Sequence, residues 1–376
     1  LNLLLLLVNL LDANFMFVNS TLPAGLSYSE FVHQGTGTLI LSIIVAILII
    51  LYYFRGGLNF YTGNKQLKML AYVWIFQNAF MICSTAFRNN LYIMEYSLTY
   101  KRIGVYVWLL LALIGLLTTF IKIFRVKSNW YLFRSNGWLF YAVLVISCLF
   151  NWDIIVADYN IAGVAKNNKS IDKFYLLDLS DKTLPQLIGL NDSVKNKEPD
   201  ERDVTLSARD NNANFKYMLD RNLYYFLDAY YKKEWKSWNY SDRLVYDQVL
   251  ELNEKRKIAS FDLHNNRYIY SLKPIRELTG IKTMNLSGIL FLDLHELASF
   301  KNLTTLDLSG CNITSILSFP DLENLTSLNL SGNSISNLAM VRNAPNLEQL
   351  DISKNGNLHD FKSLLCLKKL KRLVIG

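Results

Sequence analysis

The sequence predicts a multi-domain chain: an all-α transmembrane bundle of four or five spans over residues 1–157, a polar helical connector over 158–257, and an α/β solenoid of short repeats over 258–376. Three observations carry that expectation. Residues 1–155 are strongly apolar with long uncharged runs, whereas the remainder has the composition of an ordinary soluble polypeptide. Near the far end, LTTLDLSGCNITSI from Leu303 and LTSLNLSGNSISNL from Leu325 are one phrase written twice, 22 residues apart. The stretch joining the two regions is polar, with helical periodicity broken by charged gaps.

Of the 376 residues, 51% are hydrophobic and 19% charged, against ~25% charged in soluble domains. The net charge of +8 would point to nucleic acid only if the basic residues clustered on one folded face. Many instead flank the apolar segments, where they act as topology signals, so no nucleic-acid partner is expected. Cys83, Cys148, Cys311 and Cys366 lack close spacing, and His33, His264, His295 and His359 are scattered. Neither a disulfide framework nor a zinc site follows, and no cofactor or metal is expected. The chain opens at Leu1 without a methionine and stops inside a repeat, as a piece of a longer protein would.

A membrane-crossing helix needs about 20 mostly apolar residues to cover ~30 Å of hydrocarbon. Segments 38–54, 69–87, 103–124 and 137–155 meet this. Segment 1–17 is apolar but interrupted by Asn9, Asp12 and Asn14. A signal peptide would carry a basic start and a small-residue cleavage site; neither is plain, so the segment is read as a span. Loops on one side of the resulting bundle carry seven basic residues (Arg55, Lys65, Lys68, Lys122, Arg125, Lys127 and Arg134) and those on the other carry three. The positive-inside rule assigns the seven to the cytoplasm. The chain is thus expected in the bacterial cytoplasmic membrane, with everything after residue 155 outside.

The stretch RNNLYIMEYSLTYKR over 88–102 is charged and aromatic. Arg88, Glu95 and Arg102, with Asp153 in NWDIIVADYNI, are membrane-surface candidates for a substrate or ion site. The plainer reading is an interfacial helix whose tyrosines belong to the aromatic belt, with Asp153 and Asp158 as caps or interfacial hydrogen-bond partners.

The run AFRNNLYIMEYSLTYKRIGVYVW, followed by FNWDIIVADYNI, IDKFYLLDLSDKTLPQLI and SWNYSDRLVY, resembles a bacterial multi-pass membrane family known as a domain of unknown function, of the 4173 type. The resemblance covers roughly 29–246. It implies an integral membrane protein and brings no assigned activity, so it transfers no catalytic residue.

In the connector, KSIDKFYLLDLSDKTLPQLIGL reads as two short helices with Ser170 and Ser180 as N-caps and Gly189 as a stop. Residues 191–214 read as an exposed polar loop. In FKYMLDRNLYYFLDAYYKKEW, Tyr217, Leu219, Leu223, Phe226, Leu227 and Tyr230 recur at helical spacing. A last helix starts at about Ser241 as N-cap and runs to Glu254, with Leu244, Val245, Val249 and Leu252 along one side. A solenoid leaves its first apolar layer open, and this last helix is expected to cover it.

Repeat starts at 258, 281, 303, 325, 347 and 370 differ by 22 or 23, making five full repeats and the beginning of a sixth. The form LxxLxLxxNxIxxL is the leucine-rich-repeat pattern, in which a short strand lines one face of a curved stack. The short period resembles internalin-like bacterial repeats. Within each strand the leucines point inward, so the alternate residues form a concave face. One column is Asp262, Asn285, Asp307, Asn329 and Asp351; its neighbours are Ser260, Thr283, Thr305, Ser327 and Gln349, and His264, Ser287, Ser309, Ser331 and Ser353. This polar face is the candidate binding surface, and it lacks the aromatic and arginine anchors of strong protein hot spots. Asn266, Asn333 and Asn355, with Cys311 in the equivalent place, are expected to be buried and to bond loop backbone. The sequon asparagines Asn302 and Asn324 are not read as glycosylated.

Together these features imply a membrane-anchored protein that displays a repeat module toward a protein or cell-surface ligand, with the lipid bilayer as its other partner. The alternative is a membrane transporter or membrane enzyme with the repeats as an accessory. No paired carboxylates, HExxH or nucleophile motif is present in the sequence, so no catalytic residue is assigned.

Overall fold

The computed structural model describes residues 2–17, 52, 61, 63–167, 171–195, 207–234, 239–290, 293–314, 319–359 and 361–376. The chain divides into two compact units, Leu1–Ile171 and Asp172–Gly376.

The first unit is helical: α1 (Asn2–Phe17), α2 (Lys65–Tyr96), α3 (Tyr100–Phe124), α4 (Asn129–Cys148) and α5 (Trp152–Asn167). Helix α1 packs on α2, α2 on α3 and α3 on α4, and Leu5, Trp74, Met81, Ile82, Leu109 and Leu116 of the first three form a core. Among the described residues, α2 and α3 are long and apolar enough to cross a membrane; α4 and the start of α5, bent by 65° at a short break, make a third if counted as one. The expected span at 38–54 lies outside the described residues, apart from Tyr52. That at 137–155 is not one straight helix, because it breaks after Cys148. The outer faces stay apolar: Phe76, Leu117, Trp138 and Leu144 are all exposed, as side chains facing hydrocarbon would be.

Asn9, which interrupts the first apolar segment, and Asn2 at its start have partners on α2. Asn9 donates to the Gln77 carbonyl at 3.1 Å, Gln77 to the Asn2 carbonyl at 3.2 Å, and Asn2 to the Leu70 carbonyl at 3.1 Å. Between apolar helices such polar pairs hold neighbours together where no hydrophobic difference can.

The second unit opens with α6 (Lys173–Leu177), α7 (Leu184–Lys195), α8 (Ser207–Tyr231) and α9 (Tyr240–Glu254). Several expected boundaries move. Ser170 lies outside the described residues, and α6 is capped by Asp172, whose carboxylate accepts the Tyr175 N–H at 3.0 Å. Ser180 opens a short 3-10 turn without a capping bond. Gly189 does not stop α7: Leu187, Ile188 and Leu190 around it are buried, and that packing outweighs the ~1 kcal/mol a helical glycine costs. Parts of the expected loop at 191–214 are helical, in α7 and α8. The cap of α9 is Asn239 rather than Ser241, because its side chain reaches the Asp242 N–H at 3.1 Å.

Six three-residue strands follow: β1 (Ser260–Asp262), β2 (Thr283–Asn285), β3 (Thr305–Asp307), β4 (Ser327–Asn329), β5 (Gln349–Asp351) and β6 (Arg372–Val374). They pair in sequence order as one parallel sheet. The register aligns the expected columns residue for residue, for example Asp262, Asn285, Asp307, Asn329 and Asp351. Short 3-10 turns return the chain between strands, and leucines such as Leu306, Leu308, Leu328 and Leu330 are at most 1% exposed. Each sharp exit from a strand needs a left-handed residue two positions past the inner leucine. Gly288, Gly310 and Gly332 fill it with φ of 65–70°, and Lys354 adopts φ 57° at the same place in the fifth repeat.

Candidate functional site

The concave face is built from two strand columns and the residues just after each strand. Its central Asp and Asn side chains turn toward their own backbone: Asp307 accepts the Ser309 N–H at 2.8 Å, Asn329 the Ser331 N–H at 3.0 Å, and Asp351 the Ser353 N–H at 2.9 Å. Asn285 accepts the Ser287 N–H at 3.1 Å, and Asp262 accepts that of His264 at 3.2 Å. Each thereby secures the turn out of its strand. Asn329 also donates to Asp307 across the strands at 3.1 Å. The neighbouring column is more available: Thr283 and Gln349 are exposed, while Ser260, Thr305 and Ser327 are half-buried.

At the first strand α8 changes the face. Helix α8 packs along β1 and the turn at Lys273–Ile275. Two of its side chains, one turn apart, meet the backbone that a preceding strand would have met. The Asp220 carboxylate accepts the Asp262 N–H at 2.9 Å, and the Lys216 ammonium donates to the Ser260 carbonyl at 2.8 Å and to Asp220 itself. Asp220 is fully buried, and that burial pushes its carboxyl up to about 6 in spite of Lys216. Further along α8, Tyr224 donates to the Ser271 carbonyl at 2.8 Å. The expected covering helix, α9, has a different job: Asn253 accepts the Gly280 N–H at 3.0 Å and donates to the Glu277 carbonyl at 3.3 Å, holding the loop before β2.

This packing brings the missing anchor types to the rim. The Tyr217 ring of α8 lies 4.5 Å from the His264 ring, the Arg221 guanidinium is 6.0 Å from Tyr217, and His264 Nδ1 is 2.8 Å from Asp262. On this face β1 to β5 carry no tyrosine, tryptophan, phenylalanine or arginine, and Arg372 of β6 extends the column of Gln349 at the far end; α8 supplies one aromatic and one arginine beside the first column. In the sequence the signal was Asp220, a carboxylate on the apolar stripe between Leu219 and Leu223.

A second asparagine ladder also escaped the sequence reading. Asn302, Asn324 and Asn346 donate to the carbonyls of Thr279, Lys301 and Glu323 at 2.8–2.9 Å. Their recurrence every 22 residues was the available clue. The expected ladder holds as well: Asn333 donates to Leu308 and Leu330 carbonyls at 2.8 and 2.9 Å, Asn355 to those of Leu330 and Ile352 at 3.0 Å, and Cys311 to that of Leu286 at 3.1 Å. Asn266, with no earlier repeat behind it, leaves its amide nitrogen without a partner among the described residues.

The four membrane-surface candidates do not converge. The stretch 88–102 is not an interfacial element of its own: α2 continues to Tyr96, and a turn of three residues leads directly into α3. Arg88 pairs with Asp12 of α1, both nearly buried. Glu95 is exposed. Arg102 donates to the Tyr96 carbonyl at 2.6 Å and to that of Ser97, with its guanidinium 4.1 Å from the Tyr92 ring. Asp153 accepts the Tyr100 hydroxyl at 2.5 Å. Arg102 and Asp153 thus both hold the α2–α3 turn, and Asn160 of α5 clamps it, accepting the Leu98 N–H at 2.7 Å and donating to the Leu98 carbonyl at 2.9 Å. The clamp holds Ser97 at φ 71°, ψ 171°, a region otherwise kept by glycine. The apolar helices do hold buried ionisable groups: Asp12 and Lys122 are buried along with most of Arg88.

Comparison with known proteins follows the same division. Residues 301–343 match Leucine Rich repeats (2 copies). No curated protein matches the chain. Among solved structures, an internalin (inlF) from Listeria monocytogenes is 26% identical with a TM-score of 0.31, over 34% of this chain and 37% of that one. Internalin C2 from the same organism is 15% identical with a TM-score of 0.19, over 33% and 84%. The leucine-rich repeat domain of the type III effector XopL is 18% identical with a TM-score of 0.26, over 42% and 67%. The chain therefore covers little more than a third of the length of the inlF structure. Residues 1–190 match the Domain of unknown function (DUF4153), so the expected number, 4173, was off and the expected span of 29–246 reached too far toward the C-terminus. With half of its length matched, the chain belongs to the DUF4153 family, and leucine-rich repeats follow that domain.

Proposed function

We propose that this is a membrane-anchored protein that displays its leucine-rich repeats on the outer side of the bacterial cytoplasmic membrane to recognise a protein ligand. The observation that carries the reading is the six-stranded parallel sheet with its side-chain columns in register, joined in one chain to helices of membrane-crossing length. The anchor has four to five spans in this proposal, the described spans being joined by 38–54 and by α1. The recognition surface is Thr283, Thr305, Ser327 and Gln349, with Asp262, Asn285, Asp307, Asn329 and Asp351 as the frame beneath, and with Tyr217 and Arg221 at the rim.

Two measurements test it. The chain should resist carbonate extraction from membranes, and exposed Cys366 should react with an impermeant thiol reagent on intact spheroplasts; protection of Cys366 there would overturn the outward placement. A photo-crosslinking residue at Gln349 should capture a protein that the same residue at Lys368 does not, and equal capture at both would remove the concave face from the proposal.

One observation favours the transporter reading. An ion pair buried between apolar helices, as Asp12 and Arg88 are, marks substrate or ion pathways in membranes. A solute flux in proteoliposomes that Arg88→Gln abolishes would establish it in place of the anchor.

A further inference from the structure

The first repeat carries a strip that the later ones lack. It is 23 residues long where the next is 22, and the additional residue falls after the buried Asn266. At the position where Ile335 of the fourth repeat is 1% exposed, the first repeat turns Tyr268 outward at 76%; Ile269 takes the buried place and Tyr270 again faces out at 61%. Arg267 and Arg276 are exposed with them, as is Lys273. Helix α8 continues the strip: Tyr225 donates to the same Asn266 oxygen that accepts the Tyr268 N–H, at 3.2 and 3.1 Å, and Arg276 lies 5.5 Å from the half-exposed Tyr231 ring. The carboxylates nearby are engaged: Glu296 with Ser271, the Leu272 N–H and, at 3.9 Å, the exposed Lys273 ammonium, Glu277 with Tyr246, and Asp228 with Lys232. The corresponding stretches of the fourth and fifth repeats are Ser334–Ile335–Ser336–Asn337 and Gly356–Asn357–Leu358–His359, small and polar by comparison.

From this strip we infer a second membrane contact, in which Tyr268, Tyr270 and Tyr231, with Arg267, Lys273 and Arg276, rest in the headgroup layer of the bilayer. The inference rests on the anchored reading above. Two arguments select lipid as the occupant. Tyrosines beside arginine and lysine match the interfacial zone, where the ring sits in the apolar boundary while hydroxyls and cations meet phosphates. The strip also belongs to the first repeat along the chain after the membrane unit. Tyrosine is confined to this first repeat: the later repeats have none, and their exposed basic run at Lys368, Lys369, Lys371 and Arg372 stands without it.

The test uses the full chain in phosphatidylcholine–phosphatidylglycerol nanodiscs, with Cys83, Cys148 and Cys366 replaced by alanine and a fluorophore on Tyr268→Cys, Tyr270→Cys or Asn337→Cys, all at exposed positions. A nitroxide on the lipid headgroup should quench the labels at 268 and 270 and spare the one at 337. Arg267→Glu with Lys273→Glu should reduce the quenching, and salt should weaken it. If the chain resists carbonate extraction and the labels at 268 and 270 are quenched no more than that at 337, the strip is not a membrane contact while the anchor stands. Release of the chain by carbonate overturns both.

Discussion

Substituting Asp220 tests how the repeat stack is closed at its first strand. Its carboxylate is 2% exposed, accepts the Asp262 N–H at 2.9 Å and pairs with Lys216, which is 19% exposed. Alanine here leaves a strand N–H and a mostly buried ammonium without their acceptor. Breaking a buried pair from one side costs about 3–5 kcal/mol. Lys216 keeps the Ser260 carbonyl and some solvent, so the expected loss is at the low end, about 3 kcal/mol. Asparagine keeps an acceptor for the Asp262 N–H and should cost only about 1 kcal/mol. The pH dependence carries its own sign. Burial moves the carboxyl from 3.8 unfolded to about 6 folded, so the folded state holds its proton more tightly, and stability is highest below 3.8 and lost as pH rises through about 6. The loss across that window is about 3 kcal/mol, and Asp220→Asn should abolish it. Hydrogen exchange of the peptide covering 258–264, in the full chain in detergent at several pH values, reads both effects. The difference between the native chain and the Asn variant isolates Asp220 from other titrating groups. An alanine variant within about 1 kcal/mol of the native chain, or parallel pH profiles for native and Asn chains, would refute the reasoning.

Three further outcomes are expected. Lys354→Gly should raise the urea midpoint of the repeats, by about 1 kcal/mol, because it relieves a left-handed non-glycine residue at φ 57°; unchanged or lowered stability would contradict it. Asn333→Ala should cost about 3 kcal/mol in the same assay, since it strips two carbonyls and the Ile313 N–H of their partner inside the stack. In the membrane unit Arg88→Met should cost about 3 kcal/mol by leaving Asp12 unpaired, and Asp12→Leu added to it should restore most of the loss; thermal unfolding in detergent distinguishes additive from compensating behaviour.

The repeats were legible because their physics is local and periodic. Each inner leucine, each central Asp or Asn and each buried ladder asparagine does the same work 22 or 23 residues later, so one copy explains the next. The helical boundaries were less legible, since several residue types serve as caps. Asn239 outcompetes Ser241 only because the chain's geometry brings its oxygen to the Asp242 N–H. The turn between α2 and α3 was hidden for another reason: the stretch 88–102 is charged enough to look like a loop, yet its arginines are taken up by Asp12 and by helix-end carbonyls.

The sequence by itself determined that an apolar helical half precedes a leucine-rich stack, and which residues stand in each column of that stack, because hydrophobic period alone decides inside from outside. Only the tertiary structure decided how the stack begins. An edge strand has backbone groups with no partner of their own kind, and no periodicity says which distant helix will supply one. Helix α8 does so through Lys216 and Asp220, and in the same packing it carries Tyr217 and Arg221 to the rim of the face beside the first strand.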